Sequence, residues 1–238
     1  MTSEDFDIIT KGLTKSFANI QALKGIDLKV KKGEFITIFG PNGAGKTTLI
    51  KVLSTLSKPT AGSVIISKND LKKEPQKVRR VVGVISHEPY LYGGLSALEN
   101  ICLFATMYGI SNPKERSIEV IIKLGLEGRM HDLVGTFSSG MKQRLAVARA
   151  IVHDPSVLLL DEPFTGLDQH GIKILRDMLS ILRSQDRTIL MTTHNISEGL
   201  DLSDRVLILS RGEIVYEGIT KGLEGERFKE IYLQKVAG

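Results

Sequence analysis

Five short apolar runs punctuate the 238-residue chain: FITIF at 35–39, SVIIS at 63–67, VVGVIS at 81–86, VLLL at 157–160 and TILMTT at 188–193. Runs of this length, apolar almost throughout, read as buried strands. Helical patterns fall between many of them, and alternating strands and helices imply a mostly parallel sheet covered on both faces. In such a sheet nucleotides bind at the carboxyl ends of the strands, which says where any chemistry-bearing motif should sit.

The stretch 96–152 breaks the alternation. It offers three helical segments, with turn signals at Ser111, Asn112 and Pro113 and again over 125–128, and no convincing strand. It is therefore expected to be an inserted helical lobe. In its last helix Met141, Leu145, Ala148 and Val152 recur at helical spacing, which makes one apolar stripe packed against the body. The amino-terminal part differs again, with short β-like pieces over 6–9 and 26–30, and an antiparallel edge sheet is expected there. No low-complexity linker or internal repeat divides the chain. The expected organisation is one unit over 1–238, in which 1–95 and 153–238 form the core with its β edge sheet and 96–152 forms the helical subdomain.

Composition narrows the class without naming the chemistry. Apolar residues make up 42% and charged residues 25%, the usage of an ordinary globular domain, so the chain is expected to fold throughout. No apolar run approaches the length of a membrane-spanning helix, and the start, MTSEDFDIIT, is acidic where a secretory signal would be basic. A cytosolic or peripheral protein is the expectation. The single Cys102 cannot form an internal disulfide. The formal charge of +5 is compatible with nucleic acid, anionic lipid or a polyphosphate. The densest basic stretch, Lys68, Lys72, Lys73, Lys77, Arg79 and Arg80, lacks the interleaved aromatics of a single-strand platform and reads as a solvated face.

The FITIF run leads into Gly40, Pro41, Asn42, Gly43, Ala44, Gly45, Lys46 and Thr47, the pattern G-x-x-x-x-G-K-[ST], and then into a helical stretch that begins at Thr48. Strand, loop and helix stand in the order that builds an anion nest. The glycines let successive backbone N–H groups turn inward, the helix start adds partial positive charge, and Lys46 brings a full charge to the outer phosphates. The Thr47 hydroxyl would complete the coordination of Mg2+. Kinases, GTPases and mechanical ATPases all use such a cradle, so other residues must decide the reaction.

The VLLL run ends in Asp161, Glu162 and Pro163, two carboxylates at the carboxyl end of a buried strand. Asp161 suits a Mg2+ ligand and Glu162 a general base that polarises the attacking water; acidic residues after a strand also serve as loop caps. The TILMTT run ends at His194, whose imidazole could touch a γ-phosphate, or simply stand beside the helix start formed by Asn195 and Glu198. Ser138 opens the striped helix and makes a second anion-binding helix end, although it is also an ordinary N-cap. If that end lies too far from Lys46 to share its nucleotide, two antiparallel subunits could complete each other's sites.

These elements in this order resemble the nucleotide-binding domain of the ABC ATPase family over nearly the whole chain. The fold this implies is a P-loop NTPase core of α/β class with a mostly parallel sheet, an antiparallel β edge subdomain and an inserted helical subdomain. By the resemblance, residues 40–47 are the Walker A loop with Thr48 beside it, and Leu160, Asp161 and Glu162 are the Walker B end. Ser138, Ser139, Gly140 and Met141 are the signature motif, in which Ser138 and Gly140 would meet the opposite subunit's γ-phosphate. Phe17 matches the aromatic that stacks on adenine, His194 the switch histidine, and Gly166, Leu167 and Asp168 the loop linking the two sites; Asp168 also suits a helix cap. Two positions depart from the family: Ser139 replaces a usual glycine, and His87 replaces the glutamine that senses Mg2+ and γ-phosphate, so His87 is not assigned as a ligand.

The resemblance implies an ATP-hydrolysing subunit that works as a head-to-tail dimer with transmembrane permease subunits at the cytoplasmic face of the membrane, with ATP and Mg2+ as cofactors and no nucleic acid partner. Residues 85–92 and 95–100 are similar to those of haem exporter ATPases of cytochrome c maturation, and similar loops occur in exporters of drugs, lipids and polysaccharides. About twenty residues follow Gly218, too few for the regulatory domain many importers append, which favours export. The rival class is a soluble ABC ATPase acting on ribosomes or DNA; such proteins usually carry tandem nucleotide domains or a long coiled-coil insertion, and neither is evident here. A P-loop kinase would need a phosphoryl-acceptor pocket and would leave the Ser138 helix unexplained.

Overall fold

The computed structural model describes residues 5–86, 88–184 and 186–237. Its elements run β1 (Phe6–Phe17), β2 (Ile20–Lys31), β3 (Phe35–Phe39), α1 (Lys46–Leu53), β4 (Ala61–Ile66), β5 (Asn69–Asp70), α2 (Pro75–Val81), β6 (Val82–Ser86), α3 (Ala97–Met107) and α4 (Pro113–Lys123). After two short 3-10 turns follow α5 (Ser139–Ile151), β7 (Val157–Asp161), α6 (Gln169–Arg183), β8 (Thr188–Thr193), α7 (Ile196–Leu200), β9 (Arg205–Ser210), β10 (Glu213–Ile219) and α8 (Gly225–Ala237).

A six-stranded sheet in the order β10-β9-β3-β8-β7-β6 forms the centre, parallel throughout except for β10. Its inner strands β3, β7 and β8 are buried at every position because successive side chains enter different cores. Leu158 and Leu160 of β7, with Ile189 and Met191 of β8, pack toward the helical lobe and α6. Val157, Leu159 and Leu190 pack on the other side against α1 and the second sheet. With both faces covered, the polar residues of β3 and β8 are all threonines, Thr37, Thr188, Thr192 and Thr193, and every one of them is buried. Removing one of the apolar side chains, as in Leu159→Ala, would cost about 2–5 kcal/mol.

The second sheet, in the order β2-β1-β4-β5, is antiparallel. It corrects one expectation: the run at 63–67 belongs here, paired Ile8↔Ile66 and Thr10↔Val64, and takes no part in the parallel sheet. Only Val64 and Ile66 of that strand are buried. The same alternation holds in β2, where Ile26, Leu28 and Val30 point inward while Asp27, Lys29 and Lys31 face water.

In the stretch 96–152 lie α3, α4 and α5. Ser96 and Glu99 form a capping box on α3: the Ser96 hydroxyl accepts the Glu99 N–H, and the Glu99 carboxylate accepts the Ser96 N–H at 2.7 Å. The Ser96 backbone N–H, and after it the Ser96 hydroxyl, both donate to the Glu99 carboxylate and hold it below the usual carboxylate range. Leu145 and Ala148 of α5 and Val152 at its C-cap, all of the stripe, are fully buried and Met141 partly so. The basic residues from Lys68 to Arg80 all lie exposed, Lys77 in an ion pair with Glu74.

Candidate active site

Three strands end at one edge of the central sheet. Phe39, closing β3, pairs with Thr193 of β8, and Asp161, closing β7, pairs with Thr192. The phosphate-cradle loop, the two carboxylates and His194 therefore leave the sheet side by side.

The loop's glycines answer close approaches. A Cβ on Gly40 would sit 2.3 Å from the Leu209 carbonyl oxygen, and one on Gly45, whose φ is 108°, would sit 2.6 Å from that of Ala22. Gly45 directly precedes α1, so the loop turns without a side chain into the helix start. Buried Lys46 donates to the Gly40 carbonyl at 2.7 Å and the Pro41 carbonyl at 3.2 Å, and its Nζ lies 3.3 Å from Glu162 Oε1. The ammonium is thus folded onto its own loop and paired with a carboxylate; an arriving phosphate can take over that pairing.

Asp161, also buried, accepts the Thr47 hydroxyl at 3.2 Å and the Thr192 hydroxyl at 2.7 Å. Glu162 leaves the strand in the left-handed region, φ 50°, a conformation that costs a non-glycine residue about 1–2 kcal/mol. Its carboxylate bridges Lys46 on one oxygen and His194 on the other, where Nδ1 donates at 2.8 Å and the His194 backbone N–H at 3.3 Å. The His194 side chain remains 61% exposed, so its ring is open to a ligand.

Residues 41–48 with Ala22, Glu162, Thr165 and His194 line a cavity of about 420 Å³. Gly40 and Asp161 support that lining from behind. Phe17, Ser138 and Gly140 do not line it. Phe17 lies half exposed at the end of β1 with Lys15 Nζ 4.6 Å from its ring centre. Ser138 caps α5, its hydroxyl accepting the Met141 N–H at 3.3 Å, and a Cβ on Gly140 would meet nothing within 4 Å. Asp168 caps α6 by accepting the Gly171 N–H at 2.7 Å. His87 lies outside the described residues. A larger cleft, about 660 Å³, lies elsewhere, between the antiparallel sheet and the β9–β10 pair, and is crossed by ion pairs of Arg205 with Glu34 and Glu217.

Sequence reasoning missed Ala22 and Thr165, which carry no charge and stand outside any motif. It also missed Tyr232 of α8, which packs in the apolar cluster of Phe39, Ile196 and Phe228. Burial, and after it the Glu162 charge, push the Tyr232 phenol up.

The sequence pattern of a family described as ABC transporter matches residues 23–165. The chain is 42% identical over 222 residues to an uncharacterized ABC transporter ATP-binding protein, YdbJ, of Bacillus subtilis strain 168, covering 93% of this chain and 72% of that protein. It is 36% identical over 238 residues to the doxorubicin resistance ATP-binding protein DrrA of Mycobacterium tuberculosis strain H37Rv, covering 97% and 72%. Among solved structures it is similar to the dimeric ATP-binding cassette MJ0796 in a post-hydrolysis state with ADP and Pi, with TM-score 0.81, 30% identity, and coverage of 90% of this chain and 98% of that one.

Proposed function

The chain belongs to the ABC transporter family, as an ATP-binding and ATP-hydrolysing subunit, and on that premise we propose that it drives an exporter as a head-to-tail dimer docked on transmembrane permease subunits at the cytoplasmic face of the membrane. One observation carries this reading: Lys46, Asp161, Glu162 and His194 meet at one sheet edge, while the helix start at Ser138 stays outside their cavity. A nucleotide held by residues 41–48 would then be closed off by the Ser138 and Gly140 of a second copy. The open space at Gly140 supports this, since among the described residues nothing would meet a Cβ there within 4 Å.

In the proposed cycle, Lys46 exchanges its Glu162 partner for the β- and γ-phosphates, which frees the carboxylate to accept a proton from the attacking water. His194 holds the other carboxylate oxygen and presents its exposed ring to the γ-phosphate. Phe17 offers its open face to adenine. Ser138 and Gly140 of the second copy contribute a helix start that favours the transferring charge. The Thr47 hydroxyl and the Asp161 carboxylate, already in contact, are a hard-oxygen pair suited to Mg2+, which when bound would neutralise phosphate charge.

Among the described residues no helix is long and apolar enough to cross a membrane, so cargo translocation would fall to other subunits. A groove of about 610 Å³ lined by Leu56, Arg79, Val84, Tyr90, Tyr108 and Arg149 suits their docking. Exposed Leu56 and Tyr90 stand at that groove, and Asn100 clamps the neighbouring loop through both the N–H and the carbonyl of Tyr92. A small amphipathic cargo, haem included, fits the likeness to a doxorubicin resistance protein.

The test is to tag Glu162→Gln in its native cells, trap it with ATP, and identify what co-purifies from detergent-solubilised membranes. A multi-helix membrane protein is expected. Ribosomes or nucleic acid in its place would move the chain to the soluble class of ATPases.

A further inference from the structure

The carboxylate that the proposed function makes the general base stands on a strained turn, and three hydrogen bonds to backbone groups hold that turn. The Glu162 N–H donates to the Thr192 carbonyl at 3.0 Å, and the Thr165 N–H donates to the Glu162 carbonyl at 3.2 Å. Both come from the core sheet and its own loop. The third comes from the helical lobe: the Gln143 side-chain amide donates to the Pro163 carbonyl at 3.0 Å, in a fully buried bond between residues 20 apart in sequence. Gln143 is only 8% exposed, and neither of its neighbours on the helix, Lys142 and Arg144, reaches that turn through any hydrogen bond among the described residues. With φ at 50°, Glu162 would relax toward ordinary backbone if its surroundings allowed. The position of its carboxylate between Lys46 and His194 therefore depends on what pins residues 162–165.

Gln143 lies on α5, the helix capped by Ser138. Five residues separate the two, about 7.5 Å along a helix axis at 1.5 Å per residue, with no glycine or proline after Gly140 to bend it. A displacement of the helix start is therefore carried to the amide of Gln143 with little loss.

We infer that Gln143 is a positioning residue for ATP hydrolysis, holding the Glu162 turn through the Pro163 carbonyl and so tying each chain's water-activating carboxylate to the helix whose start meets the opposite nucleotide. The inference rests on the assignment of Glu162 as general base. A second copy's nucleotide, by engaging Ser138, would draw on the same rigid helix that sets the carboxylate of this copy. The two sites of a dimer would then be linked by one side-chain hydrogen bond within each chain.

Gln143→Met keeps the length and volume of the side chain and removes the donor; Gln143→Glu keeps the shape and sets a carboxylate against the carbonyl. On the full chain, both are expected to lower kcat about tenfold or more, while KM and equilibrium binding of a fluorescent ATP analogue stay within about twofold and the variants remain folded by thermal unfolding. Added to Glu162→Gln, either substitution should lower the residual turnover by less than about twofold, because both act through one group. Wild-type turnover in a folded Gln143→Met or Gln143→Glu variant would overturn the inference, and so would a full additional loss on top of Glu162→Gln. Near-normal turnover of Glu162→Gln alone would instead remove the general-base assignment on which the inference stands.

Discussion

The edge of the parallel sheet and the start of α5, the two regions that the proposed function sets against phosphate, are finished to different degrees. At the sheet edge every charged group already has a partner within the chain: Lys46 with Glu162, Glu162 with His194, Asp161 with two hydroxyls. At the start of α5, Ser138 is exposed, caps only its own helix, and is followed by a glycine with open space around it. A set of partnered charges is stable while it waits, and ligand binding re-partners it at little cost in reorganisation. A bare helix start becomes useful only when something approaches it. Under the proposed function the difference has a meaning: the first region would bind nucleotide and the second would respond to a nucleotide bound elsewhere, as a site divided between two copies requires.

The comparison can be broken or sharpened experimentally. The largest effect belongs to Lys46→Ala, which should weaken ATP binding by about 100-fold or more in a fluorescence titration, since it removes the only full charge in the cradle loop and leaves Glu162 facing the phosphates. Gly140→Asp should separate the two regions: ATP binding by the single chain stays within about twofold while steady-state hydrolysis falls at least tenfold, because the new carboxylate would face a γ-phosphate only across a dimer. Its thermal stability should change by less than about 1 kcal/mol, as the position is open and glycine is a poor helix former.

A smaller effect concerns the seam between lobe and sheet. His153 follows α5, stacks on Tyr108 with ring centres 3.7 Å apart, and donates from Nε2 to the Val82 carbonyl at 3.1 Å. Burial holds its pKa at about 4, with the Val82 bond and Asp154 opposing and Arg187 and Arg116 assisting the shift. The unfolded chain takes up a proton near pH 6.5 that the folded chain refuses until about 4, so this contribution is whole above pH 6.5 and is lost as pH falls toward 4. At ~1.4 kcal/mol per pH unit the loss is bounded near ~3 kcal/mol. Melting curves of His153→Phe should show a shallower decline than wild type between pH 6.5 and 4.5.

How legible each region was in the sequence follows from its physics. The runs at 35–39, 157–160 and 188–193 stood out because both faces of the central sheet are covered, and the cradle stood out because anion binding demands glycines and a lysine at set spacing. The run at 63–67 misled because apolar content alone does not separate a strand buried on both faces from one buried on alternate residues. Strands β1 and β2 are twelve residues each, and only their apolar fragments showed, because the polar half of each faces water. The contributions of Ala22, Thr165 and Gln143 were invisible: an uncharged residue acts at a site only through the fold that brings it there. Phe17 was named by resemblance alone, and the structure leaves it half exposed beside Lys15, outside the cavity.

The division of the site between two copies is tested most directly by mixing two defective chains. Each carries Glu162→Gln so that bound ATP is retained; one also carries Lys46→Ala and the other Gly140→Asp. A mixed dimer would join the intact cradle of the second to the intact helix start of the first. Retention of ATP on a desalting column by the mixture, at one nucleotide per pair of chains, with none retained by either variant alone, is the predicted result. If the mixture retains no more than its components, each chain builds its phosphate site by itself, and the account of two copies completing each other is wrong.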